Sequence, residues 1–163
     1  MSRQISDLSS RGEASDPAVA ARQAWMATLA KAPLADLERA WSDLSPQPDF
    51  TRLRPAETGL VMVRGRISGS GQPFNLGEMT MTRAAVRLEG GPAGFGHVAG
   101  RSARHAELAA LFDAMLQDPA RHDALMTRVI APLAAQAAAE RQRKAAEVAA
   151  TKVDFFTLVR GED

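Results

Sequence analysis

LVMVRGRISGSGQPFNLGEMTMTRAAVRLEGGPAGFGHVA, residues 60–99, decides the fold. Three strand-like runs, 60–67, 78–88 and 93–99, are separated by glycine-rich segments. Those segments are too short to hold the helix that a parallel crossover needs, so the runs predict an antiparallel meander. In the middle run, Met79 and Met81 fall on one face and Ala84, Val86 and Leu88 on the other. Strand side chains alternate with a period of two, so the apolar phase switches near Thr82–Arg83, which predicts a bulge or sharp twist there. Residues 50–54 predict a further edge strand, with Pro55 blocking ladder bonds beyond it.

Helical patterns flank the meander. Asp16 is a helix cap and Pro17 suits a first turn, with Val19, Trp25, Met26 and Leu29 as an apolar stripe that Pro33 ends. Leu34, Leu37, Trp41 and Leu44 form a second stripe, broken by SPQP at 45–48, so the two segments predict an amino-terminal helical hairpin. After Gly100, His105, Leu108, Leu111, Phe112, Met115 and Leu116 share one helical face, a helix predicted to cover the sheet until Asp118-Pro119. Residues 119–151 are good helix formers with few large apolar anchors, and Pro132 is placed to kink or divide them. The fold class is α+β: a polar, disordered lead-in over 1–15, a single domain over 16–131 with a meander of three or four strands, and a helical arm with an apolar tail over 132–163.

Composition limits the chemistry. The 163 residues suit one domain, and a hydrophobic fraction of 45% is enough for a core. Twenty basic against 19 acidic residues leave a net charge of +1, which argues against nucleic acid or an anionic membrane as partner. The absence of cysteine removes thiolate nucleophiles and cysteine-held clusters from this chain. No apolar run approaches the roughly 20 residues that span a bilayer, and the amino terminus lacks a secretory signal, so a cytoplasmic location is expected.

Candidate site residues are few. The glycines of GRISGSGQPF, residues 65–74, allow a close approach to phosphate, but no GKS or GKT follows; a hairpin loop with permissive glycines is the plainer reading. Arg64 with Arg66, and Arg83 with Arg87, alternate onto common strand faces and offer guanidinium forks, in a setting where solvated surface arginines are the commoner case. His105 has the residue type of a general base, yet its register puts it at the end of the apolar stripe, and Glu107 projects from a different helical face. His97 and His122 have no second ligand at metal-binding spacing.

The last residues are unusual. VDFFTLVRGED brings Val153, Phe155, Phe156, Leu158 and Val159 to the carboxyl end, where chains are ordinarily polar. Leaving them wet forfeits roughly 1.5–3 kcal/mol per large side chain, so the tail either docks on another protein or adds an edge strand to its own sheet.

AETGLVMVRGR (56–66), GSGQPFNLGEMTMTRAAVRL (69–88), GRSARHAEL (100–108) and TKVDFFTLVRG (151–161) together resemble the PhnG family, the G subunit of bacterial carbon–phosphorus lyase. The resemblance runs from about Ala20 to Gly161, with Ser70 where threonine is the more usual residue. It implies a core complex with H, I and J subunits, in which the I subunit catalyses displacement of adenine from ATP by a phosphonate to give ribose 1-phosphonate 5-triphosphate. It also implies that the iron–sulfur cluster and S-adenosylmethionine belong to the J subunit, with no cofactor and no catalytic residue in this chain. On this basis the arm and tail, through Val153, Asp154, Phe155, Phe156, Leu158, Val159 and Arg160, are expected to dock mainly on the I subunit. Glu57, Thr58, Gly69, Gly71, Arg83, Arg101 and His105 are expected to line that partner's active site. Two other readings stay open: an independent enzyme on a phosphorylated small molecule, using the Gly69–Gly71 loop and His105, and a homo-oligomeric structural protein with exchanged tails.

Overall fold

The computed structural model describes residues 16–67 and 71–150. The expectations for the lead-in and the tail fall on residues 1–15 and 151–163, outside the described residues.

Helix α1 (Pro17–Leu29) starts where the Asp16 carboxylate accepts the Ala18 N–H at 2.9 Å, with Pro17 in the first turn. Trp25 and Leu29 are buried, whereas Val19 is 48% exposed and does not belong to the apolar stripe. Helix α2 (Leu34–Ser42) follows Pro33 and buries Leu37 and Trp41. Each of these helices packs on the helix that follows the sheet.

Strands β1 (Phe50–Arg66), β2 (Pro73–Leu88) and β3 (Ala93–Ala99) form an antiparallel sheet in the order β1-β2-β3. Residues 50–54 are the start of β1 and not a separate strand. The chain passes through Pro55 because β1 is an edge strand whose register slips between Arg52 and Arg54 and again between Arg54 and Glu57; a proline that cannot donate is tolerated in such an interruption. The middle strand has no bulge at Thr82–Arg83: the pairs Glu57–Arg83, Thr58–Thr82 and Gly59–Met81 are in unbroken register. The apolar phase switches for another reason. Thr82, Ala84, Val86 and Leu88 are buried on the helix side, whereas Met79 and Met81 lie on the opposite face of a ribbon that β1 and β2 extend past the end of β3.

Helix α3 (Ala103–Leu116) opens on Ser102, whose hydroxyl accepts the His105 N–H at 3.3 Å. It is buried almost all round, with Leu108, Leu111, Phe112 and Met115 fully enclosed, as befits a helix between the sheet and the other helices. Its Ala106, Ala110 and Ala114, four residues apart, lie against Gly94 and Gly96 of β3. Helix α4 (Pro119–Leu125) is capped by Asp118 and runs through a π-turn (Met126–Ile130) into α5 (Ala131–Ala150). Pro132 therefore coincides with a change of helix type rather than a break: proline has no N–H for the regular ladder, and a widened turn relieves the clash of its ring with the preceding turn. Leu133 is the buried residue of α5, and residues 141–150 are exposed throughout.

Arg52 of β1 donates to Glu107 of α3 through Nε at 2.6 Å and Nη2 at 3.2 Å, and Arg104 adds a third bond at 3.2 Å. Hydrogen bonding to Arg52 holds the Glu107 carboxyl below its ordinary value of 4.5, with partial burial pulling the other way. A carboxylate with a depressed folded pKa contributes stability that is complete above its ordinary pKa and is lost as pH falls through the folded value. Glu107→Gln should lower the melting temperature by a few degrees at pH 7, and the gap to the parent should close on acidification below pH ~4.5. Thermal melts from pH 7 to pH 3 check this; a gap that widens in acid contradicts it.

Candidate interaction site

The residues singled out in the sequence separate into two groups. Cross-strand register sets Glu57 opposite Arg83, and Arg83 opposite His97. Glu57 Oε1 accepts from Arg83 Nε at 2.7 Å and from Arg54 Nη1 at 2.8 Å. The bond from Arg83 is the first cause holding the Glu57 carboxyl below the ordinary carboxylate range. Thr82 Oγ1, fully buried, donates to Gly100 O at 2.7 Å, so its 3.0 Å contact with Thr58 is one in which Thr58 donates. Glu57, Thr58 and Arg83 thus line one depression of about 260 Å³, together with Gly59, Val61 and Met81.

The others lie elsewhere. His105 is 8% exposed, and its Nε2 lies 2.8 Å from Leu29 O. It belongs to the core between α1 and α3, an arrangement the stripe in the sequence had indicated. Arg101 is exposed on the turn fastened by the Gly100 N–H to Thr80 O at 2.9 Å, with no hydrogen bond or ion pair among the described residues. Gly71 donates to Ile67 O at 2.9 Å and accepts from Arg66 Nη1 at 3.3 Å, closing the tip of the ribbon, while Gly69 lies outside the described residues. His122 Nδ1 is 2.7 Å from Leu116 O and its ring stands edge-on to Trp25. Among the described residues no group of three His, Asp or Glu is placed to hold a metal ion, and no helix is long and apolar enough to cross a membrane.

A cavity of about 660 Å³ lies between α2 and the α4–α5 segment, with none of Glu57, Thr58, Arg83 or His105 in its lining. Its floor is apolar, with Met115, Leu125, Val129 and Leu133; Arg39, Arg121 and Arg128 are at its rim, and no histidine lines it. Such a groove accepts apolar side chains.

One group went unrecognised in the sequence. Asp113, in the middle of α3 and fully buried, accepts from Arg22 Nε at 3.1 Å and Nη2 at 2.7 Å, from Trp25 Nε1 at 2.9 Å and from Phe95 N at 2.9 Å. The signal available was an acid inside the apolar run ALFDAML, with an arginine and a tryptophan three apart on α1.

The model of a family described as phosphonate metabolism protein PhnG matches residues 20–161. The chain belongs to the PhnG family. A PhnG relative from Rhizobium meliloti (strain 1021), the alpha-D-ribose 1-methylphosphonate 5-triphosphate synthase subunit PhnG, is 50% identical over 148 residues. That alignment covers 91% of this chain and 94% of the relative. The PhnG match takes in the Glu57–Arg83 cluster, the whole of α3 and α5, and the terminal segment to residue 161. That relative is, by its name, one subunit of a synthase.

Proposed function

We propose that this chain is a non-catalytic but required subunit of a carbon–phosphorus lyase complex, acting in the cytoplasm. In this reading it supports the displacement of adenine from ATP by a phosphonate, which gives ribose 1-phosphonate 5-triphosphate. Its partners are the H, I and J subunits, with the I subunit as the main contact. ATP is a substrate of the complex, and the iron–sulfur cluster with S-adenosylmethionine resides in the J subunit.

The observation that carries the reading is the arm. From residue 141 to 150 every residue of α5 is exposed, a polar and alanine-rich rod of about 15 Å that is followed in sequence by TKVDFFTLVRGED. Side chains of that size left in water forfeit roughly 1.5–3 kcal/mol each, so this reading gives Phe155 and Phe156 the role of anchors on another polypeptide. The second element is the cluster of Glu57, Thr58 and Arg83, which has the exposure expected of residues bordering a neighbour's site, with Arg101 next to Gly100, whose N–H bonds to Thr80 O.

Truncation after Ala150 should weaken retention in the co-expressed complex at least tenfold, read by size-exclusion chromatography, with circular dichroism of the truncated chain reporting its folding separately. An intact complex with the truncated chain sinks the tail-docking role. Turnover of ATP and methylphosphonate by the purified chain alone sinks the non-catalytic one.

A further inference from the structure

Among the described residues, helices cover one face of the sheet. Helix α3 packs on all three strands from the side of Thr82, Ala84 and Val86, whereas α1 meets β3 at its outer edge, through Arg22 and Trp25 on Asp113 and the Phe95 N–H on the same carboxylate. The opposite face divides into two halves. Near the hairpin of β2 and β3 it carries Arg54 and Arg83, both paired with the carboxylate of Glu57, and then Arg87 opposite Thr51. Arg87 has no ion-pair partner among the described residues. Further out it is apolar: Val61 stands opposite Met79, and Gly59 opposite Met81. A register slip at residues 75–77 then brings Phe74 and Leu76 together over Gly65, their atoms 3.7–3.9 Å from where a Cβ would stand. Phe74 is 41% exposed, Leu76 65% and Met79 36%.

This strip accounts for the phase switch. Beyond β3 the ribbon also exposes Leu60 and Met62 on its other face, so apolar side chains stand on both sides of it, and a two-stranded ribbon in water is marginal unless something packs on it. We infer that the open face docks a different subunit of the synthase, through a segment that sets apolar side chains on Phe74, Leu76 and Met79 and carboxylates on Arg83 and Arg87. The inference rests on the subunit reading above and adds to it a second contact surface.

Charge decides the occupant. Two copies related by a two-fold axis set the arginine cluster against itself or against the apolar half, so guanidiniums meet like charge or lose water without an acceptor. A small anion satisfies the arginines and leaves the apolar half wet. A polypeptide with both acidic and apolar side chains satisfies both halves, and the 260 Å³ depression at their junction accepts one side chain of it.

The test uses the full chain co-expressed with the remaining synthase subunits, with two variants, Leu76→Ser/Met79→Ser and Arg87→Glu. The double variant should bind at least tenfold more weakly by biolayer interferometry, with the circular dichroism of the isolated chain unchanged because both side chains are already exposed. Arg87→Glu should weaken binding several-fold at low salt, the deficit shrinking at high salt. Should the double variant misfold, Arg87→Glu alone decides. Undiminished binding by a folded double variant and by Arg87→Glu overturns the inference, as does a dimer of the isolated chain that these substitutions dissociate. If the parent is retained and both variants are too, only this face falls; if the parent itself is not retained, the subunit reading falls with it.

Discussion

Gly96→Ala should remove the cooperative urea transition of the isolated chain, or lower its midpoint by about 2 M, corresponding to a loss of about 4 kcal/mol at an m-value near 2 kcal/mol/M. A methyl group at this position overlaps the Ala106 carbonyl oxygen and comes within 2.9 Å of Ala110 N, both backbone atoms of α3. Ordinary overpacking costs about 1–3 kcal/mol because side chains rotate away, but a helix backbone has no rotamer to change. The relief available is to lift α3 off β3, which opens the packing around Val98, Ala106 and Ala110, all now buried. Against a total stability of about 5–15 kcal/mol, that loss leaves little of the folded state. Gly90→Ala is the control. Gly90 has φ +64° in the β2–β3 turn and nothing within 4 Å, so alanine there incurs only about 1–2 kcal/mol of left-handed strain. Equal midpoints for the two variants contradict the close-approach account.

That same glycine pair shows how far the sequence could be read. AGFGHVA is legible as a strand by its position between glycine turns and its alternation, and the structure places β3 over those residues. That its glycines seat an alanine row of α3 is not legible, because the contact depends on which of two faces meets the helix and at what height. The phase switch in β2 was visible in Met79, Met81, Ala84 and Val86, but two causes predict the same pattern: a bulge, or a strand that leaves its own core. Register with β1 separates them, and register is a tertiary property. Likewise Pro55 reads as a stop for a strand, and it is one inside a sheet; at an edge already interrupted by bulges it stops nothing. Among the candidate residues, Glu57, Thr58 and Arg83 meet because cross-strand pairing joins residues 26 apart, whereas His105 follows its helical stripe into the core.

Asp113→Ala is expected to cost about 3–5 kcal/mol, the range found when one partner of a buried ion pair is removed. Arg22, with a third of its side chain in contact with water, recovers part of its solvation. The Trp25 indole N–H and the Phe95 N–H do not: the first is enclosed, and both lose an acceptor at 2.9 Å that no other group replaces. Because these donors sit on α1 and on the outer edge of β3, the loss unfastens α1 from the sheet edge and frees Phe95, over which Arg22 now lies at 5.8 Å. Asp113→Asn separates charge from hydrogen bonding. Its carbonyl oxygen still serves one of the two neutral donors while its NH2 group faces Arg22, so the cost should fall between parent and alanine. Arg22→Ala should cost less than Asp113→Ala, since it leaves the carboxylate its bonds from Trp25 and Phe95 and admits water where the partly exposed Arg22 side chain now stands. Urea titration of the four proteins gives the order directly. If Arg22→Ala proves as damaging as Asp113→Ala, the ion pair and not the pair of neutral donors is what holds α1 to the sheet.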